Sequence, residues 1–312
     1  MKIIDFEQIL NLEISPVECT DWVYKALLIK DNVYLPPKYS LKLENDIFIN
    51  TMPCSIPELG IFGVKVVSRY PQNAPSLDSN ILLYDLNSGE LLSLIEGNWI
   101  TAMRTGAVAS LAIRTLENYN SEIYSIMGLG NTARATLLCM LQTRPEKFFH
   151  VRLLKYKDQV GKFIDRFSSY QNVDFEVVDD SKTLIENSDV VLSCITSAKN
   201  IIAKDSWFKE GVLVIPVHTR GFQNCDLFFD KVFADDTDHV KDFKYFNQFK
   251  GFTELGEVLK GKSNGRENSK ERILSYNIGI ALHDIYFAKM ILNKGTFINE
   301  VSLKKSRRKF WL

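Results

Sequence analysis

The sequence has few cysteines, and none is spaced for metal binding or disulfide pairing. There is no Cys-x-x-Cys and no cysteine–histidine cluster among the five, which are Cys19, Cys54, Cys139, Cys194 and Cys225. Zinc sites and the disulfide frameworks of small secreted domains both need closely spaced cysteines. We therefore expect no metal site, no disulfide framework and a reducing compartment.

An excess of charge of one sign is also lacking, because 38 Lys and Arg residues balance 38 Asp and Glu residues. The overall charge therefore indicates neither a nucleic acid nor a membrane as partner. No uncharged apolar run approaches the roughly 18 residues that a bilayer-spanning helix needs. The first residues do not combine a basic region with a long apolar one, as a signal peptide would. These absences predict a cytoplasmic protein.

The chain does have the apolar content of a globular protein, 46% of 312 residues, enough for one large or two ordinary domains. From about residue 121 to 236, β-rich runs alternate with polar, helix-compatible segments. Continuous Val, Ile and Leu runs are typical of parallel strands that are buried on both faces. The predicted strands are 122–127, 151–156, 175–178, 190–195, 212–217 and 231–234. The predicted fold class is α/β, a Rossmann-type doubly wound parallel sheet.

The first 115 residues have a different pattern, typical of a smaller α+β unit. Ser15 followed by Pro16 predicts the start of a helix over 15–30. Further on, the sequence predicts a hairpin of 81–85 and 91–96, a helix over 100–116, and an amphipathic helix over 278–292 that packs back on this unit. We therefore expect a first domain of residues 1–115, completed by 278–312. The domain of parallel strands, residues 116–277, is inserted into it.

A glycine-rich turn follows the first strand of the predicted parallel sheet. It reads Gly128-Leu129-Gly130-Asn131-Thr132-Ala133 and opens a predicted helix. This context is the one in which Gly-x-Gly-x-x-Ala binds a dinucleotide: the glycines allow a tight turn and a close approach of the backbone to pyrophosphate. The residues expected to contact NADP(H) or NAD(H) here are Gly128, Gly130, Asn131, Thr132 and Ala133.

The end of the second strand distinguishes the two cofactors. An acidic residue there accepts hydrogen bonds from the ribose hydroxyls of NAD, whereas cations suit the 2′-phosphate of NADP. This chain has Lys155 and Lys157 at the strand end, which favours NADP(H). Asp158 follows them and leaves NAD(H) open, and solvated surface lysines are the simpler alternative.

The segment Thr101–Ala107 reads Thr-Ala-Met-Arg-Thr-Gly-Ala and lies about twenty residues before the glycine turn. Arg104 thus places an anion-binding group next to a predicted nicotinamide site. Together the two motifs resemble the ornithine cyclodeaminase/mu-crystallin family, and the similarity extends over nearly the whole chain. The family transfers hydride at the α-carbon of amino or imino acids, so the resemblance implies such an NAD(P)-dependent oxidoreductase.

The resemblance also implies roles for individual residues. Lys38, Lys65 and Arg104 stand where the family holds the substrate carboxylate, and Lys65 also faces its catalytic centre. Charge-assisted hydrogen bonds from such cations fix a carboxylate in orientation. Asn277 lies in the family's C-terminal loop over the substrate. Further cofactor contacts are expected from Thr105, Cys194, Thr196 and Val217. The resemblance makes residues 1–115 with 278–312 a substrate-binding and dimerisation domain and 116–277 the NAD(P)-binding domain, and it implies a homodimer.

The main departure from the family is His218, which stands where the cyclodeaminases have a catalytic aspartate. A histidine titrates near neutrality and can move a proton at an amine or imine nitrogen. It cannot supply the fixed negative charge that stabilises a cationic iminium, so a dehydrogenase or ketimine reductase is favoured. A cyclodeaminase that releases ammonia, and a non-catalytic NAD(P)-binding subunit, remain the alternatives.

Residues 217–247 differ from the typical cyclodeaminase and are loosely similar to the tyramine oxidase branch of the family. Four acids lie in this segment, Asp235, Asp236, Asp238 and Asp242. They would either balance a substrate amine or lie as solvated charges in a loop.

Overall fold

The computed structural model describes residues 1–195, 201–217 and 226–303, so Thr196 and His218 lie outside the described residues. Eight helices lie among those described: α1 Phe6–Leu10, α2 Pro16–Leu28, α3 Asn98–Leu116, α4 Asn131–Thr143, α5 Gln159–Arg166, α6 Ser181–Ile185, α7 Leu255–Leu259 and α8 Ala281–Lys294. None of them is both long and apolar enough to cross a membrane.

The first sheet contains six strands: β1 Lys2–Ile4, β2 Tyr39–Lys42, β3 Phe48–Ile56, β4 Ile61–Arg69, β5 Leu77–Asp85 and β6 Leu91–Glu96. Their order is β1-β6-β5-β4-β3-β2. All neighbours are antiparallel except β1 and β6. The predicted hairpin is the β5–β6 pair. Its alternating burial leaves one face for helices to cover.

Helices α3 and α8 cover this face, and α2 packs on both of them. Ser15 caps α2 through the backbone N–H of Glu18, with Pro16 at the first helical position as predicted. The later helix α8 packs on β3, β4 and β5. Gly63 of β4 permits this contact, because a Cβ there would lie 2.7 Å from Cδ1 of Ile285.

The second sheet contains eight strands: β7 Ile123–Met127, β8 Phe149–Leu154, β9 Val173–Val178, β10 Val190–Ser193, β11 Leu213–Pro216, β12 Lys231–Ala234, β13 Thr253–Glu254 and β14 Ile273–Tyr276. Their order is β13-β12-β14-β11-β10-β7-β8-β9, and every neighbouring pair is parallel. The predicted α/β fold with a doubly wound parallel sheet is thus confirmed.

The strand β14 is the main feature of this sheet that the sequence prediction missed. It lies between β11 and β12, although it follows both along the chain. All four of its residues are buried. Its position brings the next residue, Asn277, to the carboxyl edge of the sheet, where its backbone N–H donates to the carbonyl of Pro216.

The two sheets are linked by a close crossing of α3 and α4. At Gly106 of α3, a Cβ would lie 2.5 Å from the carbonyl carbon of Ala135 and 2.6 Å from its Cβ. The glycine of the Thr-x-x-Arg-Thr-Gly-Ala segment therefore serves helix packing. It holds Arg104, half a turn earlier on α3, next to the helix that begins at the glycine-rich turn.

Candidate active site

The glycine-rich turn lies at the switch point of the parallel sheet. Strands β7 and β10 are neighbours there. From β7 the chain continues to β8 on one side, and from β10 it continues to β11 on the other, which opens a crevice at the carboxyl ends of β7 and β10. Gly128 follows β7 with φ +83°, and a Cβ on it would lie 2.6 Å from the carbonyl carbon of Cys194, just after β10. Both the backbone conformation and this close approach require glycine.

The N-terminus of α4 lies at the same crevice, and its first N–H groups have no acceptor within the helix. Gly130 is the N-cap, and no side chain of the described residues supplies a capping hydrogen bond. A Cβ on Gly130 would meet nothing within 4 Å, so a ligand can approach the backbone closely. Ala133 is fully buried in the helix–strand contact. Asn131 is exposed and Thr132 half-buried at the first turn. This cradle and the helix dipole fit the pyrophosphate of a dinucleotide.

The other predicted cofactor residues have mixed surroundings. The Thr105 hydroxyl donates to the carbonyl of Thr101 at 2.6 Å, within α3. The backbone N–H of Cys194 donates to the carbonyl of Met127, and burial raises the pKa of the Cys194 thiol. The Val217 N–H donates to Ser193 at the same sheet edge. Contacts of Thr105, Cys194, Thr196 and Val217 with the cofactor stay predictions.

A small cavity of about 250 Å³ lies beside the carboxyl end of β8. Lys155, Lys157, Asp158 and Asp179 line it together with apolar residues. Lys155 and Lys157 are exposed, and Lys155 forms an ion pair with Asp179 at 3.3 Å. The cavity is in the position where the ribose of a Rossmann-bound dinucleotide lies.

Lys65 and Arg104, predicted to bind a carboxylate, meet at a third residue that the sequence patterns did not single out. Asp284 of α8 is fully buried, and its Oδ1 accepts from Lys65 Nζ at 2.7 Å and from Arg104 Nε at 3.0 Å. Lys65 also lies 3.3 Å from the hydroxyl of Thr101. Strand β4, helix α3 and helix α8 thus bring two cations and one carboxylate together.

The electrostatics of this cluster are set by burial and by its own charges. Burial, with the adjacent charge of Arg104, lowers the pKa of Lys65 to about 7, although Asp284 opposes the change. Burial alone would raise the pKa of Asp284, but Arg104 and Lys65 outweigh it and hold that pKa below its ordinary value. The cluster therefore contains a lysine that can change charge near neutral pH.

Lys38 reaches the same region from the loop before β2. Its Nζ donates to the carbonyl of Ile278 at 3.4 Å, and burial lowers its pKa. Buried Asp235, at the end of β12, accepts from the N–H groups of Ile278 and Gly279. The structure thus brings all three predicted carboxylate-binding cations to one place around the 277–280 segment.

Asn277 and His283 are buried in this region without a hydrogen bond to any described residue. For Asn277 this holds for both the amide nitrogen and the amide oxygen, and for His283 it holds for both ring nitrogens. Burial lowers the pKa of His283 to about 3, so this histidine is neutral. Asn277 lies where its substrate role was predicted, and that role stays a prediction.

The acids of the 217–247 segment are divided between interior and surface. Asp235 and Asp236 are buried, and Asp236 pairs with Lys30 at 2.7 Å and with His239 at 2.6 Å. Asp238 and Asp242 are exposed. Asp236 thus already has a cationic partner in Lys30.

Asp284 could have been found from the sequence. It lies within the apolar run 280–288 of α8, where all nine residues are buried. An aspartate in a fully buried helix needs a cationic partner, because an isolated charge there is very costly. No sequence pattern, however, named Lys65 and Arg104 as those partners. Among the described residues, no group of His, Cys, Asp and Glu is arranged to hold a metal ion.

A doubly wound sheet with a phosphate cradle at its switch point, next to a buried group of cations, defines an NAD(P)-dependent oxidoreductase of small anionic substrates. The chain belongs to the ornithine cyclodeaminase/mu-crystallin family, whose sequence profile matches residues 3–296.

Comparison with characterised relatives agrees with this assignment. A Delta(1)-pyrroline-2-carboxylate reductase of Bacillus cereus is 25% identical over 300 residues, covering 87% of this chain and 90% of the relative. A Thermococcus litoralis Delta(1)-pyrroline-2-carboxylate reductase, solved with NADH and L-proline, is 28% identical with a TM-score of 0.84, covering 94% and 97% of the chains. An archaeal alanine dehydrogenase dimer with bound NAD shares the fold, with 21% identity, a TM-score of 0.81 and coverage of 94% and 95%. The chain is an enzyme of hydride transfer at the α-carbon of an amino or imino acid.

Proposed function

We propose that this enzyme reduces a small cyclic imino acid with NADPH, as a ketimine reductase. The observation that carries the proposal is the group of buried Lys65 and Arg104 with half-buried Lys38, which lies near the α3–α4 crossing and the nucleotide crevice. Such cations suit a single carboxylate attached to the reacting carbon. The similarity to two pyrroline-carboxylate reductases supports an imino acid as the substrate.

A nicotinamide cofactor held in the crevice would supply the hydride for the α-carbon of the imine. In the chain itself, Arg104 and Lys65 bind the carboxylate and so fix the position of that carbon, while Lys38 adds charge near the 277–280 loop. We assign Asn277 to contact the substrate, because its buried amide makes no hydrogen bond to a described residue. A proton must also reach the imine nitrogen. We assign its transfer to His218, or to a water that His218 orients, because His218 stands at the position of the family's catalytic aspartate and a histidine titrates near neutrality.

The cradle around Gly128 and Gly130 would hold the pyrophosphate. Lys155 and Lys157, beside the cavity at the end of β8, favour the 2′-phosphate of NADPH, and Asp158 and Asp179 in the same cavity oppose it. We also propose a cytoplasmic homodimer, supported by the dimeric archaeal neighbour and by the free cysteines Cys19, Cys54, Cys139 and Cys194. The proposed domains are 1–115 with 278–312, and 116–277.

The test begins with fluorescence titrations of NADPH and NADH. Five- and six-membered cyclic imino acids are then screened for oxidation of the cofactor at 340 nm. L-Proline and L-alanine are screened in the reverse direction, and L-ornithine for ammonia release. Steady oxidation with a cyclic imino acid supports the proposal. No nucleotide binding below millimolar concentration contradicts it.

The alternatives give different results. Ammonia release from L-ornithine without net change in cofactor identifies a cyclodeaminase. A non-catalytic binding protein gives nucleotide affinity without turnover. His218→Ala separates catalysis from binding, because an enzyme that uses His218 keeps its NADPH affinity and loses turnover.

A further inference from the structure

The position of Asp284 suggests a role beyond helix packing. A single oxygen, Oδ1, accepts hydrogen bonds from both Lys65 and Arg104, which come from a strand and a helix far apart in sequence. Asp284 is 0% exposed, so no water competes with it from the surface. The two cations are therefore fixed relative to each other by one carboxylate.

The hydrogen bonds also determine which donors stay available. Arg104 uses its Nε for Asp284, so its two Nη groups, which point toward Gly279, are not taken by this carboxylate. Lys65 uses one donor for Asp284 and is within reach of the Thr101 hydroxyl with a second. Each cation thus keeps donors for a further anion, in an orientation that Asp284 sets.

A buried ion pair is weak evidence for stability, because apolar residues of similar volume often serve a core as well or better. The cost of burying Asp284 between two cations is therefore more readily explained by the site than by the fold. Its neighbour His283 is neutral and makes no hydrogen bond to a described residue, so it does not share this task.

We propose that Asp284 is a positioning residue for substrate binding: through its Oδ1 it orients Lys65 and Arg104 toward the substrate carboxylate. The inference rests on the proposed function, because it assumes that these cations bind a carboxylate. It adds a residue that does not itself touch the substrate.

The charge on Lys65 depends on all groups that face it. Arg104 from α3 and Lys38 from the loop before β2 disfavour its protonation, and Asp284 from α8 favours it. Removing the Asp284 charge leaves burial and two cations to act alone. The pKa of Lys65 then falls further, and above that pKa each unit of decrease reduces the protonated fraction about tenfold.

The test uses pyrrole-2-carboxylate, an aromatic carboxylate that cannot be reduced under these conditions. Its binding to the NADPH-saturated full-length enzyme is measured by calorimetry from pH 6 to 9. For the wild type, affinity should fall as the pH rises through about 7, where Lys65 loses its proton. For Asp284→Asn, affinity at pH 7.5 should be weaker by about tenfold or more, with the midpoint moved down by about one pH unit or more.

Asp21→Asn is the matched control, because Asp21 is an exposed aspartate paired with Lys25 on α2. It should behave as the wild type. Unchanged NADPH affinity and a cooperative thermal transition establish that each variant is folded. If Asp284→Asn does not fold, Asp284→Glu carries the test: it keeps the charge but displaces the carboxylate, so affinity should fall while the pH midpoint stays.

A role that is only structural predicts a different result, namely lower thermal stability with the affinity and pH midpoint of the wild type. That result overturns the inference on Asp284 and leaves the proposed function intact. Failure of the wild type to bind pyrrole-2-carboxylate in the presence of NADPH overturns both. In a Lys65→Arg background the positive charge at position 65 cannot be lost between pH 6 and 9. Adding Asp284→Asn to this background should therefore lower the affinity for pyrrole-2-carboxylate by the same factor at every pH.

Discussion

The backbone of Gly279 lies directly against the guanidinium group of Arg104. A Cβ at Gly279 would collide with Nη1, and the residue has φ +76°. Its N–H also donates to buried Asp235 at 3.0 Å. The segment after β14 is therefore held from both sides, by a carboxylate on the second sheet and by the arginine of α3.

Gly279→Ala should consequently weaken both the fold and substrate binding. Left-handed backbone strain and the collision with Arg104 together cost about 1–3 kcal/mol of unfolding free energy. The displaced guanidinium should also raise KM. Gly89→Ala is the control, since Gly89 has φ +68° with nothing within 4 Å of a Cβ. Denaturant unfolding and steady-state kinetics of both variants test this, and an equal KM for the two would contradict it.

A second prediction concerns cofactor choice. Replacing Lys155 and Lys157 together by Ala should weaken NADPH binding about tenfold or more and leave NADH binding within about twofold, because only NADPH has the 2′-phosphate. Lys162→Ala, on the following helix α5, controls for the loss of surface charge. Fluorescence titrations measure both affinities. Equal weakening for the two nucleotides would show that the lysines do not contact the phosphate.

The buried pairs of Asp236 give a prediction about pH and stability. The hydrogen bonds from His239 and Lys30 outweigh burial and lower the pKa of Asp236 to about 2. A lowered carboxyl pKa adds stability above its ordinary value near 4, and this stability is lost as the pH falls toward 2. Asp236→Asn should therefore cost about 2 kcal/mol at pH 7 and progressively less below pH 4.

Asp238→Asn is the matched control for this effect. Asp238 is an exposed neighbour that pairs with Lys241, and exposed pairs contribute less than about 1 kcal/mol. Urea unfolding at pH 7 and at pH 3 gives the comparison. A cost for Asp236→Asn that does not change with pH would contradict the assignment of its ion pairs.

The α3–α4 crossing supplies a fourth prediction. Gly106→Ala places a methyl group inside the van der Waals radius of Ala135, and such overpacking typically costs about 1–3 kcal/mol. Because Arg104 and the glycine turn are held by this contact, NADPH affinity should fall too. Gly161→Ala, in helix α5 with open space at Cβ, should instead stabilise the protein by about 0.5–1 kcal/mol. Thermal unfolding distinguishes the two variants, and a nucleotide titration against the wild type tests the NADPH affinity of Gly106→Ala.

Local signals were sufficient for much of the fold. The cap at Ser15, the β5–β6 hairpin and the strand that leads into Gly128 each depend on residues near in sequence, and the structure confirms them. Strand ends were less well predicted: 151–156 is in fact Phe149–Leu154, because the lysines that follow are exposed. The place of β14 between β11 and β12 is a non-local pairing, for which the run 273–276 gives no signal.

In the site, too, features that depend on nearby residues were predicted and contacts between distant residues were not. Lys65 and Arg104 were identified through a family resemblance, and Gly128 through its turn. Asp284 was missed because its partners are 180 and 219 residues away. A buried aspartate indicates that a cation must be near it, but contact at that separation is decided by how α8 packs on the first sheet.

The return of α8 to the first sheet also has a consequence for the order in which the protein is made. Asp284 is translated 219 residues after Lys65. At about 5–20 residues per second, that separation corresponds to roughly 10–45 s of synthesis. During this interval strands β7 to β11 can pair with one another, whereas the lysine has no carboxylate from α8 to pair with. The anion-binding group is thus completed last, after the nucleotide crevice beside it has left the ribosome.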